Sequence, residues 1–216
     1  MREWNLLRSY PQPEERVVGN RTIRDRILAS YRGMDFFDGP RSCGYGGLVY
    51  DGRWADVAAD VYTDYKPRKV LELNCEKGFL LRELKKLGVE VLGVDPSSYA
   101  RSHNITPVSR VLPEGEFDLC IARGLVYTQP LDQAMILIRR IEELAHKAFI
   151  TLASYETKDD YWLLRNWSLL GCTILKKDEW KEVLNHCGYT GDYWFVTAQS
   201  LKLTWTASSL PAHPGD

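Results

Sequence analysis

Between Lys69 and Asp95 the chain runs through Val70-Leu71-Glu72-Leu73, a short turn, a segment from Phe79 to Leu87 with Leu80, Leu81, Leu84 and Leu87 on one side, then Val89 to Val94. Strand, turn, helix and strand in so short a stretch is the minimum right-handed crossover of a parallel sheet. Such strands are buried on both faces, which commits the chain to an α/β architecture. The turn after the first strand puts backbone N–H groups and a helix dipole at one spot, and both favour a carboxylate or phosphate. Asp95 ends the second strand, where a carboxylate can accept hydrogen bonds from both hydroxyls of a ribose.

The alternation continues beyond that unit. Phe117 to Ala122 and Ala148 to Ala153 read as further strands, with a helix from Leu131 to His146 between them. Asp178 to Cys187 reads as a helix capped by Asp178 and ended by Gly188. Tyr193 to Val196 and Leu201 to Trp205 read as two closing strands, antiparallel to each other. Upstream, Val17, Ile23, Ile27 and Leu28 recur at helical intervals between Glu14 and Tyr31, predicting an N-terminal helix. From Met34 to Trp54 glycines, aspartates and aromatics alternate, which predicts an ordered loop able to line a site. A short helix from Ala55 to Tyr65 follows it.

A chain of 216 residues can bury one sizeable core, and one domain is expected. With 28 Lys and Arg against 29 Asp and Glu, the overall charge draws the protein to neither a nucleic-acid backbone nor an anionic membrane. No stretch approaches the roughly 20 apolar residues that span a bilayer, and no signal-peptide core follows Met1, so a cytoplasmic protein is expected. Five cysteines without a C-x-x-C pair argue against a disulfide framework and against zinc, so reduced and mostly buried thiols are expected and no metal.

The segment Val70-Leu71-Glu72-Leu73-Asn74-Cys75-Glu76-Lys77-Gly78, followed by Val91-Leu92-Gly93-Val94-Asp95, resembles the class I S-adenosylmethionine-dependent methyltransferases. Phe117-Asp118-Leu119-Cys120-Ile121-Ala122-Arg123-Gly124 is similar to the family's fourth strand. Gly44-Tyr45-Gly46-Gly47 with Tyr50-Asp51-Gly52-Arg53-Trp54 resembles a bacterial subgroup with that preface. Trp167-Ser168-Leu169, Thr173, Asp178-Glu179-Trp180 and the stretch from Gly188 to Tyr193 resemble it too. The likeness covers roughly residues 34 to 197. It implies a Rossmann-like methyltransferase fold: a mostly parallel seven-stranded sheet with an antiparallel last strand, helices on both faces and an N-terminal helical extension. Residues 1–65 would then be a helix and an aromatic, glycine-rich loop packed on the core. Residues 66–206 would form the methyltransferase-like domain and 207–216 a flexible tail.

The resemblance also implies S-adenosylmethionine as cofactor, contacted by Glu72, Asn74, Cys75, Gly78, Asp95 and Arg123, and a small-molecule acceptor, a sugar, nucleotide-sugar or natural-product intermediate. Two positions depart from the family pattern. Asn74 replaces the first glycine, and Asn is the side chain best able to take positive φ. Glu76 puts a carboxylate beside the expected place of the methionine carboxylate. At ~4 Å and an effective dielectric near ~20, two such charges repel by several kcal/mol. A fold that has lost or changed its cofactor use, and serves as a binding or partner subunit, is therefore the alternative. Catalytic candidates beyond the strand ends are His103, Tyr155 and Asp51, with Tyr45, Arg53, Tyr127 and Trp167 as substrate walls. Arg53 either forks an anion or pairs with Asp51 or Asp38. His146 reads as a charge at a helix C-terminus.

Overall fold

The computed structural model describes residues 1–11, 15–19, 21–106, 108–112 and 114–206. The expected tail, 207–216, lies outside them. The strands are β1 (Arg2–Glu3), β2 (Arg16–Val18), β3 (Lys69–Leu73), β4 (Glu90–Val94), β5 (Val108–Ser109), β6 (Phe117–Ala122), β7 (Ala145–Ala153), β8 (Asp192–Val196) and β9 (Leu203–Trp205). The helices are α1 (Ile23–Ser30), α2 (Met34–Phe37), α3 (Ala55–Tyr65), α4 (Phe79–Lys86), α5 (Ser98–Ser102), α6 (Leu131–Leu144), α7 (Lys158–Trp167) and α8 (Lys177–Cys187). A seven-stranded sheet has the order β1-β8-β7-β6-β3-β4-β5. Alternate residues feed two apolar layers. Leu71, Cys120, Ile150 and Leu152 face one, with Ile138 of α6 and Trp180 and Leu184 of α8. Val70, Leu119, Ile121 and Phe149 face the other, with Val57 and Val61 of α3 and Leu80 and Leu84 of α4.

The chain builds β3, β4 and β5 outward, then returns to lay β6, β7 and β8 on the other side of β3. The strand order thus reverses between β3 and β6, where Leu73 pairs with Ala122. Ligands of open parallel sheets bind beyond the strand ends at such a reversal, because the two flanking connections diverge there.

Several expectations are corrected. The last strand of the sheet is parallel: β8 pairs with β7 from Phe149↔Asp192 to Ala153↔Val196. The reason is the connection, in which α7 and α8 carry the chain back across the sheet so that it re-enters from the same end. β9 does not pair with β8; it joins β2 in a separate parallel pair, from Arg16↔Leu203 to Val18↔Trp205. The N-terminal helix is confined to α1, because the Thr22 hydroxyl accepts the Asp25 N–H and the Asp25 carboxylate accepts the Thr22 N–H, closing a capping box there. Val17 and Val18 upstream are β-branched and take the strand instead. In α8 the Glu179 carboxylate accepts the Lys176 N–H, so the helix begins at Lys177 and Asp178 lies in its first turn. Gly188 does end α8, at φ 69°. His146 lies in β7, exposed and 3.9 Å from Glu116, and caps no helix. All five cysteines are free thiols, and only Cys172 is exposed.

Candidate functional site

The turn from Asn74 to Gly78 joins β3 to α4. Asn74, Glu76 and Gly78 all take left-handed backbone, with φ of 58°, 56° and 73°. Asn74 thus supplies the conformation expected of it in place of glycine. Strain at Glu76 is offset by two partners: its N–H donates to Asp95 Oδ2 at 2.8 Å, and its carboxylate accepts the Tyr45 hydroxyl. Gly78 is required sterically, since a Cβ there would stand 2.4 Å from both Asn104 Oδ1 and Thr106 Oγ1. Gly78→Ala is expected to lose about 2 kcal/mol from left-handed strain plus overpacking, read as a fall in the urea midpoint.

Glu72, one residue before the end of β3, is 0% exposed. Its Oε1 accepts two N–H groups of Arg123, at 2.9 and 2.6 Å, while its Oε2 is buried without a hydrogen-bond partner among the described residues. Arg123 follows β6, and its guanidinium also lies 4.2 Å from the Trp54 ring centroid. Asn74 ties the two strand ends together by donating to the Arg123 carbonyl at 3.2 Å, and accepts from Arg32 at 2.6 Å. Burial, opposed by Arg123, pushes the Glu72 carboxyl up to about 7, whereas Arg123 is held more firmly protonated by Glu72 and Glu76 despite its own burial. Burial also raises the Glu76 carboxyl. Between about pH 4.5 and 7 the folded state keeps a proton on Glu72 that the unfolded chain releases. Stability should therefore fall as pH rises through that window, and the fall should be smaller in Glu72→Gln, where only the raised carboxyls of Glu76 and Asp95 remain. Urea denaturation at pH 5 and pH 7.5 checks this; an equal fall in both proteins would rule Glu72 out as its source.

Asp95 is 1% exposed, and its two oxygens accept the Glu76 and Ser97 N–H groups, each at 2.8 Å. Burial raises its pKa against those bonds. Residues 32 to 48 lie as a strap across the β3–α4 and β4–α5 turns. Lys77 Nζ donates to Asp38 at 2.7 Å, Tyr99 donates to Asp38 at 2.6 Å, and Ser97 donates to the Arg32 carbonyl at 2.5 Å. The rings of Phe37 and Tyr45 stack at 5.8 Å, and Phe37 and Tyr99 at 6.1 Å. Within the strap, Met34–Phe37 forms the short helix α2 where a loop was expected.

A cleft of about 1000 Å³ opens onto this turn. Of the expected residues, Tyr45, Asp51, Arg53, Asn74, Arg123, Tyr127 and Trp167 line it. Glu72 lies behind Arg123, and Cys75 and Gly78 are buried in the turn. Cys75 is a packing group, with its Sγ 2.6 Å from where a Cβ on Gly93 would stand and its thiol kept protonated by burial. His103 is placed outside the cleft: it is exposed, stacked 4.0 Å on Tyr99 and hydrogen-bonded to Ser102. Tyr155 is also outside, edge-on to Tyr161 at 5.3 Å beyond β7. Arg53 takes the ion-pair alternative, its Nε donating to Asp51 at 2.6 Å. Tyr127 is buried at the cleft wall, its hydroxyl pushed up to about 12 by burial. Arg16, Arg21, Arg32 and Arg41 also line the cleft, at positions that no motif spacing marks. The available signal was composition: nine arginines and no lysine precede Lys66.

Among the described residues, no helix is long and apolar enough to cross a membrane, and no three metal-ligating side chains gather. The sheet order, its reversal at β3 and β6 and the helices on both faces define a Rossmann-like methyltransferase fold. Magnesium protoporphyrin IX methyltransferase from Synechocystis PCC 6803, with S-adenosylmethionine bound, is similar at a TM-score of 0.52 and 18% identity, over 79% of this chain and 89% of that one. The CcbJ methyltransferase from Streptomyces caelestis aligns at 0.40 and 22% identity over 47% of each chain, and mitomycin 7-O-methyltransferase at 0.47 and 15% over 62% and 46%. The chain thus covers about half the length of these last two proteins. No protein-family model and no curated protein matches the sequence.

Proposed function

We propose that the protein transfers a methyl group from S-adenosylmethionine to a small-molecule acceptor held in the cleft. The observation that carries this reading is the set Arg32, Asn74, Glu76 and Arg123, which lines the cleft at the strand-order reversal in front of the buried and unpartnered Glu72 Oε2. An orphaned carboxylate oxygen is costly unless a donor reaches it. The donor set fits an amino acid. Arg32 and Arg123 are cations for its carboxylate, and Glu76 is an acceptor for its ammonium. The charge of Glu76, expected to repel the carboxylate, is met by those two arginines. Asp95 keeps lone pairs for a ribose, but only once the strap lifts from it.

The bound cofactor would supply a methyl group on a sulfonium, already a strong electrophile. The chain's work is then to align the acceptor and exclude water. Trp54, Tyr45 and Tyr127 wall the cleft for this purpose. Asp51 stands at its rim as the candidate base. Arg53 holds that carboxyl below its usual range, so it is ionised at neutral pH and accepts a proton with little driving force. The Gly44 to Trp54 segment, which sets the bacterial subgroup apart, furnishes both the strap's Tyr45 and this rim.

The strap's closure over Asp95 favours the second reading, a methyltransferase fold that has given up its cofactor. Calorimetric titration with S-adenosylmethionine and S-adenosylhomocysteine separates the two. Micromolar binding of either supports the enzyme, and no binding of either supports the second.

A further inference from the structure

Six of the nine arginines before Lys66 fall into two groups. Arg2, Arg8 and Arg53 are paired with Asp192, Asp64 and Asp51. Arg16, Arg21 and Arg41, which line the cleft, have no carboxylate partner among the described residues. Among the described residues, Arg21 donates only to the main-chain carbonyls of Asn166 and Arg41, at 3.3 and 2.9 Å. Arg41 donates through Nη1 to the carbonyls of Gly44 and Tyr45, both at 2.9 Å. The Arg16 guanidinium meets the face of Trp167 at 5.9 Å. Each guanidinium carries five N–H donors, so most of this set is unspent among the described residues.

The nearby acids of the described residues hydrogen-bond to other groups. Asp25 is occupied by Thr22 and by the Cys43 thiol, and Glu15 by the Thr204 hydroxyl. Burial and the charge of Arg41 lower the proton affinity of both Arg16 and Arg21, with the charge of Asp25 opposing this in part at Arg21. The arrangement is held in place. β2 pairs Arg16 with Leu203, and Gly46, at φ 73°, leaves room for Arg41, whose Cβ and Cδ would lie 3.1 Å from any Cβ there.

We propose that Arg16, Arg21 and Arg41 form a subsite for a phosphate ester on the acceptor, with Trp167 as the apolar wall beside it. Three guanidinium forks suit an anion with several oxygens and more than one charge better than a lone carboxylate. The inference rests on the methyltransferase reading only in calling that anion part of the acceptor.

The test uses the full chain and pyrophosphate as probe, by calorimetry, with S-adenosylhomocysteine titrated in parallel. Saturable pyrophosphate binding is expected, weakened at least tenfold in Arg16→Gln and in Arg41→Gln and unchanged in Arg139→Gln on the exposed side of α6. S-adenosylhomocysteine binding should stay within twofold in all three. If Arg16→Gln does not fold, Arg16→Lys is read in its place, since it keeps the charge but loses the fork. Absence of pyrophosphate binding, or equal weakening in Arg139→Gln, overturns the subsite. Pyrophosphate bound without S-adenosylhomocysteine leaves the subsite standing and removes the methyltransferase reading. S-adenosylhomocysteine bound without pyrophosphate does the reverse.

Discussion

Arg123→Met is expected to destabilise the fold by about 3–5 kcal/mol at pH 8, because it leaves the fully buried Glu72 carboxylate with no partner on either oxygen. The loss should shrink at pH 5, where Glu72 already carries a proton in the folded protein. Replacing both members with methionine should recover most of the stability, since two apolar side chains carry no desolvation penalty. Urea denaturation of the two single variants and the double variant at both pH values measures the coupling. Additive losses would mean that the two side chains do not act as a pair.

Asp95→Asn is expected to weaken S-adenosylhomocysteine binding by roughly 100-fold or more, as charge-assisted hydrogen bonds from two ribose hydroxyls contribute about 1.5–3 kcal/mol each. The substitution keeps one oxygen for the Glu76 or Ser97 N–H, so the turn itself should survive. Calorimetry reads the affinity, and the thermal midpoint reads the turn. An Asp95→Asn protein that binds as tightly as the parent would mean that the ribose lies elsewhere.

The parallel core was legible because its signals are local. Val70 to Leu73, the leucines of α4 and Val91 to Asp95 each carry a period that fixes an element, and the short turn leaves one way to connect them. The acidic strand ends at Glu72 and Asp95 were legible for the same reason. What the sequence could not show is pairing at long range. Nothing in Arg16-Val17-Val18 says that its partner is Leu203-Thr204-Trp205, so a short β-branched run amid charges reads as part of a helix. The direction of β8 was hidden likewise, because it depends on α7, whose Asp159-Asp160-Tyr161-Trp162 start gives little helical signal beyond the Thr157 cap. His103 and Tyr155 were chosen for following strands in sequence. The side chain of the first stacks outward on Tyr99, and that of the second turns to Tyr161, directions no spacing rule contains.

The pairings of β1 with β8 and of β2 with β9 bear on when the molecule is finished. Arg2 meets Asp192 across 190 positions, whereas β3, β4 and β6 close their contacts within a single stretch of chain. Distant contacts form late, since the entropy of closing the intervening loop must be overcome before they can help. A chain emerging from the ribosome can therefore pair its central strands while Arg16 still has no strand to lie against. The arginine wall of the cleft would be assembled only after Trp205 is made, so an unfinished chain has the parallel core without the β2–β9 pair that fixes Arg16 at the cleft.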